Sequence, residues 1–162
     1  HIIKPTHIYM GGNYESKDAN FLSLCTAAIE SNCGYYIKQV GGPALGIFQM
    51  EPDTYHDIID NCDAINEKNI KFYNKIHKLW NFEGYGIVHA LISHPMYACA
   101  MARLKYAMDK APIPDHKDIK AVYFYYKRIY NTPLGASTWD KFHNALVAND
   151  IILRNGILKV EL

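Results

Sequence analysis

Apolar residues recur at three- and four-residue intervals along most of the chain, the spacing of helices that bury one face. Ser16 or Asp18 caps a helix running to about Asn32, with Phe21, Leu22, Cys25, Ala28 and Ile29 on its stripe. A second helix opens at Pro52-Asp53-Thr54 and carries Tyr55, Ile58, Ile59 and Cys62 on one face. A third covers about Asn66 to Trp80, through Ile70, Tyr73, Ile76 and Leu79 or Trp80. A fourth, around Ile87 to Ser93, stops near His94-Pro95, because proline disfavours helix at the residue before it. Met96 or Tyr97 begins the next, striped by Tyr97, Ala100, Met101, Leu104 and Met108 and ended by Pro112 and Pro114. Ile119, Val122, Tyr123, Tyr126 and Tyr130 mark another, and Ser137-Thr138-Trp139-Asp140 starts a last one to about Ala148.

The pattern breaks in three places. His1 to Ser16 mixes Pro5, Gly11 and Gly12 and reads as loop. Cys33 to Met50, punctuated by Gly34, Gly41, Gly42, Pro43 and Gly46, reads as a loop with room for a short hairpin. Ile151 to Leu162 is rich in β-formers around Arg154-Asn155-Gly156, an Asn-Gly hairpin signal. The prediction is a mainly α (α+β) fold, about seven helices around a small loop or β region. It forms a single domain over residues 1–162, with its core at about 18–148.

Composition narrows the function classes. The net charge of +1 over 162 residues excludes a polybasic nucleic-acid binder and an acidic disordered tail. No apolar run approaches the ~20 residues of a membrane span, so no stable membrane insertion is expected. No charged-then-apolar leader opens the residues given, so no Sec-type signal is expected, and the expected state is a monomer. Cys25, Cys33, Cys62 and Cys99 include no Cys-x-x-Cys pair, which argues against a zinc knuckle and for reduced, mostly buried thiols. The eight histidines include no His-Glu-x-x-His, and neither a metal nor a cofactor is expected.

Three segments carry candidate chemistry. Glu30 lies in the last turn of its helix, where the negative end of the helix dipole should raise a carboxyl pKa. It is off the apolar stripe, so it points to solvent or into a cleft. A carboxyl neutral near pH 7 can act as a general acid; the ordinary alternative is a surface Glu near a helix end. Gln49 sits among apolar residues in Gly46-Ile47-Phe48-Gln49-Met50, where an amide can bond a sugar hydroxyl or acetamido group. A plain turn before a helix is the alternative there. The third segment is Tyr130-Asn131-Thr132-Pro133-Leu134-Gly135.

In order and spacing, Glu30-Ser31, Ala44 to Thr54 and Tyr130-Asn131 resemble the lytic transglycosylase and goose-type lysozyme superfamily, across roughly Asn20 to Val147. The short length and the Ile-Phe-Gln-Met-Glu-Pro variant are most similar to small phage-encoded lysins of that group. Its members carry a Glu-Ser at a helix end, a Gly-Leu-Met-Gln segment and a later Tyr-Asn. The resemblance implies a lysozyme-like fold with a cleft, and cleavage of peptidoglycan glycan strands at the β-1,4 bond between MurNAc and GlcNAc. It assigns Glu30 as catalytic acid/base and Ser31 as a group that orients substrate. Gln49, with its neighbours Gly46, Ile47 and Met50, would bind the sugar. Tyr130 would hydrogen-bond or pack against Glu30, and Asn131 would shape the cleft. Thr132 to Gly135 departs from the family's Ala-Gly-Pro-Gly run at that wall.

One well-placed Glu and no second carboxylate of motif quality favour a lytic transglycosylase, in which the same Glu later deprotonates the sugar's own 6-hydroxyl. A hydrolytic muramidase is the alternative, with Asp53, Asp57 and Asp60 downstream of Gln49 and Glu51 read as a first-turn partner of the helix dipole. A non-catalytic wall-binding or virion module is the alternative of another class. A cysteine hydrolase using Cys25 or Cys33 with a histidine has only residue counts behind it. The phage resemblance implies either a host cytoplasmic lysin released to the wall or a virion-associated entry enzyme.

Overall fold

The structure, a computed structural model, describes residues 1–65, 70–78, 89–132 and 135–154. The fold is mainly helical: α1 (Ile3–Met10), α2 (Lys17–Ser31), α3 (Pro52–Asn61), α4 (Ile70–His77), α5 (Ala90–Ser93), α6 (Pro95–Ala107), α7 (Ile119–Tyr126), α8 (Trp139–Ala148) and α9 (Ile151–Arg154). Short 3-10 turns cover Gly12–Tyr14 and Asp63–Ile65, and a π-helical turn, Lys127–Asn131, continues α7. No strand forms among the described residues. The 33–50 loop holds two isolated antiparallel bridges, Lys38 with Leu45 and Leu45 with Met50.

The helix ends follow local rules. Ser16 accepts from Ala19 N to start α2, Thr138 accepts from Lys141 N to start α8, and Pro52 and Pro95 occupy first-turn positions of α3 and α6. Asn32 ends α2 in the left-handed region at φ 52°, which Asn tolerates better than most side chains. The N–H of Cys33 then returns to the Ala27 carbonyl at 2.9 Å. That stop leaves Glu30 in the final turn of α2.

Helix α6 is the centre. It packs against α1, α2, α3, α4, α5 and the π turn, and every residue from Tyr97 to Leu104 is buried. One apolar cluster joins it to Met10, Phe48, Tyr55, Ile58, Ile76 and Leu91. A second packs Phe21, Leu22 and Cys25 of α2 against Val122, Phe142, Leu146 and Ile151. Such burial contributes about 1.5–3 kcal/mol for each large apolar side chain. No helix among the described residues is long and apolar enough to cross a membrane.

Two expectations are corrected. Residues 3–10 form helix α1 rather than loop. Pro5 lies in the first turn, where its missing N–H breaks no helical bond, and the face that docks is Thr6, His7 and Met10. His7 is fully buried because its Nδ1 lies 2.8 Å from Asn20 Oδ1, a polar lock invisible to an apolar periodicity. The start of the tail, Ile151–Arg154, is helical rather than extended, with Ile151 and Ile152 seated in the second cluster. Asn66, Leu79, Trp80, Ile87, Val88, Pro133, Leu134 and the Asn155-Gly156 signal lie outside the described residues.

Candidate active site

A cavity of about 560 Å³ lies where the last turn of α2, the 39–54 segment and the π turn meet. Glu30, Gln49, Met50, Tyr130 and Asn131 line it, together with Gln39, Glu51 and Thr54. Three separate stretches of sequence thus converge on one space.

Glu30 is held by α2 and largely buried, and the Tyr126 hydroxyl donates to its Oε1 at 2.6 Å. Its carboxyl is raised from 4.5 to about 7. Burial is the main cause; the Tyr126 hydrogen bond opposes it, and the negative charge of Glu51 adds to it. The direction agrees with the dipole argument, but the physical cause is desolvation. Near neutrality the group can therefore give up or take up a proton.

The partner hydroxyl is a correction. Tyr126, not Tyr130, bonds Glu30; the Tyr130 hydroxyl donates to the Phe48 carbonyl at 2.9 Å. The two rings stack with centroids 6.3 Å apart, and Tyr130 also stacks on Tyr106. Four residues apart, both tyrosines share a face, so periodicity marks the pair without choosing between them. The π turn widens the backbone after Tyr126, and such turns cluster at functional sites. Within it the Lys127 ammonium donates to Asn131 Oδ1 at 2.7 Å and to the Gly135 carbonyl at 2.6 Å. Asn131 also accepts from Ser137 N at 3.3 Å, so it fixes the cavity wall through its own side chain.

Ser31 does not line the cavity. It is fully buried, donating to the Ile47 carbonyl at 2.6 Å and accepting from Gly34 N at 2.8 Å. Its hydroxyl pins the glycine loop to the end of α2; it does not face a substrate. Gly46 and Ile47 do not line the cavity either. Gly46 has φ +74°, and a Cβ there would overlap the Leu91 carbonyl oxygen. Gln49 holds a positive φ of 44°, and its Nε2 donates to the Tyr36 and Gly46 carbonyls at 3.0 and 2.8 Å. Both amide protons are thereby used, which leaves Oε1 as the side chain's hydrogen-bonding capacity for a ligand.

Glu51 is at the N-cap of α3 but makes no side-chain cap bond; instead it lines the cavity and raises Glu30. The dipole role belongs to Asp53, in the first turn. None of Asp53, Asp57 and Asp60 lines the cavity, and Asp57 pairs with Lys105 at 3.0 Å. Tyr126, Gln39, Glu51 and Thr54 join the site beyond the residues that sequence reasoning singles out; Glu51 and Thr54 sit inside the Gln49 segment and Tyr126 lies on the same helical stripe as Tyr130, whereas nothing local marks Gln39.

The four cysteines are free, with Cys25, Cys62 and Cys99 buried and Cys33 exposed. His7 Nε2 lies 3.8 Å from the Sγ of Cys99, which is neither of the two expected thiols. Burial pushes that thiol to about 12 and His7 down to about 4, the reverse of an activated nucleophile. Asp18, Asp115 and His116 place potential metal-ligand atoms within 4.8 Å of one another, away from the cavity. There the His116 ring and backbone N both bond Asp18 Oδ1, at 2.7 and 2.9 Å, tying the 115–118 turn to the start of α2.

No family model, curated protein or solved structure matches the chain.

Proposed function

We propose that the chain cleaves peptidoglycan glycan strands at the β-1,4 bond between MurNAc and GlcNAc, within a lysozyme-like cleft, as a lytic transglycosylase serving phage lysis or entry. The observation that carries the reading is Glu30: a largely buried carboxyl, raised to about 7, on the wall of a polar cavity. It gives its proton to the leaving GlcNAc oxygen as the C1–O bond breaks. The resulting carboxylate takes the proton of the MurNAc 6-hydroxyl as that oxygen closes on C1, so no water is consumed. Tyr126 holds the carboxyl in place, and Gln49 Oε1 accepts from a sugar hydroxyl or acetamido N–H.

A hydrolytic muramidase is the second reading, favoured by one observation: Glu51 shares the cavity with Glu30. A second carboxylate on the opposite side of the sugar would activate a water.

Mass spectrometry of the soluble products from purified sacculi separates the readings, with Glu30→Gln in parallel. Ends in 1,6-anhydroMurNAc, lost in Glu30→Gln, are expected. Reducing MurNAc ends would assign the hydrolase. No sugar product from sacculi that a known muramidase digests would overturn both, in favour of a wall-binding or virion module.

A further inference from the structure

A second cavity, of about 580 Å³, opens between the 11–16 segment, the start of α2, the C-terminal half of α6 and the 107–113 loop. It shares no lining residue with the Glu30 cavity. Arg103 is on its wall, projecting from the central helix α6 and only 7% exposed.

Burying a guanidinium costs several kcal/mol unless a counter-charge and hydrogen bonds offset it. Arg103 has no carboxylate partner among the described residues. Its Nε donates to the Tyr14 carbonyl at 3.1 Å and Nη2 to the Asn13 carbonyl at 3.4 Å, and it stands over the Tyr14 ring at 5.4 Å. Those contacts use two of its five N–H groups. Nη1 has no protein partner among the described residues, yet it is not sealed from solvent.

The acids on the same wall are already hydrogen-bonded to other groups. Asp18 Oδ1 takes the His116 backbone N and ring Nδ1, and Asp109 takes both terminal nitrogens of Arg128 as well as Ala111 N. Lys110, also on the wall, has no ion pair among the described residues. Of the charged side chains on this wall, Arg103 and Lys110 are thus the cations with no carboxylate partner among the described residues.

We propose that this cavity is a binding site for a small oxyanion, a carboxylate or phosphate group, held by the Arg103 fork with Lys110 as the second cation. The planar guanidinium matches two oxygens of such a group at once, which a lone ammonium does not. The ligand's charge supplies what the fold withholds from Arg103. The site stands independently of the chemistry assigned to Glu30.

The test is a titration of the intact chain with sodium phosphate and, separately, sodium acetate, against sodium chloride at equal ionic strength. The readout is the Arg103 Nε–Hε resonance in nitrogen–proton NMR spectra. A saturable shift with phosphate, acetate or both is expected, and which salt produces it identifies the group. Lys110→Ala, a wall residue outside the core, is expected to weaken the binding several-fold. Arg103→Lys is expected to abolish it; if that variant does not fold, the native titration and Lys110→Ala still decide. A shift that follows ionic strength alone, or none, would overturn the site and leave Arg103 as a clamp on Asn13 and Tyr14. Unchanged affinity in Lys110→Ala would overturn the two-cation arrangement.

Discussion

Glu30→Gln should make the chain inactive and, above neutral pH, more stable. In the folded chain the carboxyl is raised from 4.5 to about 7, mainly by burial. The folded state then holds a proton that the unfolded chain releases between about pH 4.5 and pH 7. Stability falls as pH rises through that window and stays lower above it. The difference corresponds to about 3 kcal/mol. A Gln is neutral throughout and keeps an oxygen to accept from the Tyr126 hydroxyl. Native and variant chains should match at pH 4, where both side chains are neutral. At pH 8 the variant should gain up to about 3 kcal/mol, or roughly 6–12 °C in Tm for a domain of this size. Urea denaturation followed by far-ultraviolet circular dichroism at four pH values between 4 and 8.5 measures it. A stability difference that does not change with pH, or a variant less stable at pH 8, would refute the assignment of a buried, raised carboxyl.

Tyr126→Phe removes the donor that favours the charged form of Glu30, so the alkaline limb of the proposed glycan-cleaving activity should move to higher pH. Glu51→Gln removes a charge that disfavours that form, so the same limb should move to lower pH; a pH–rate profile on sacculi reads both signs. Ser31→Ala leaves Gly34 N and the Ile47 carbonyl without their partner and should cost about 2 kcal/mol in denaturant titration; an unchanged stability with a raised KM would restore the substrate role. Gly46→Ala forces a Cβ onto the Leu91 carbonyl at a positive φ and should destabilise by about 3 kcal/mol or more, seen as a lowered Tm or loss to the insoluble fraction.

Much of the helical order is legible along the chain. The stripes of α2, α3, α6 and α7 and the caps at Ser16 and Thr138 are local, because a helix that buries one face repeats its apolar residues every turn. The segments around Glu30, Gln49 and Tyr130-Asn131 are legible for the same reason: each is a short run of neighbouring residues. Helix α1 is not, because it docks through His7 and Thr6, and a polar residue becomes a good core residue only when another element supplies its hydrogen bonds. Nor is the choice of Tyr126 over Tyr130, since both share a face and the widened turn decides which hydroxyl reaches Glu30. Ser31 and Glu51 exchange their expected importance in the same way. One points into the junction of α2 with the glycine loop, and the other onto the cavity. By itself the sequence determined the helical segments that bury an apolar stripe, though not α1 or α9, and which residue types carry chemistry, since backbone propensity and periodicity act between near neighbours. Only the tertiary structure decided which carboxyl is desolvated, which hydroxyl holds it and where charge is left unpaired, because burial and Coulomb energy sum over every element packed around a group.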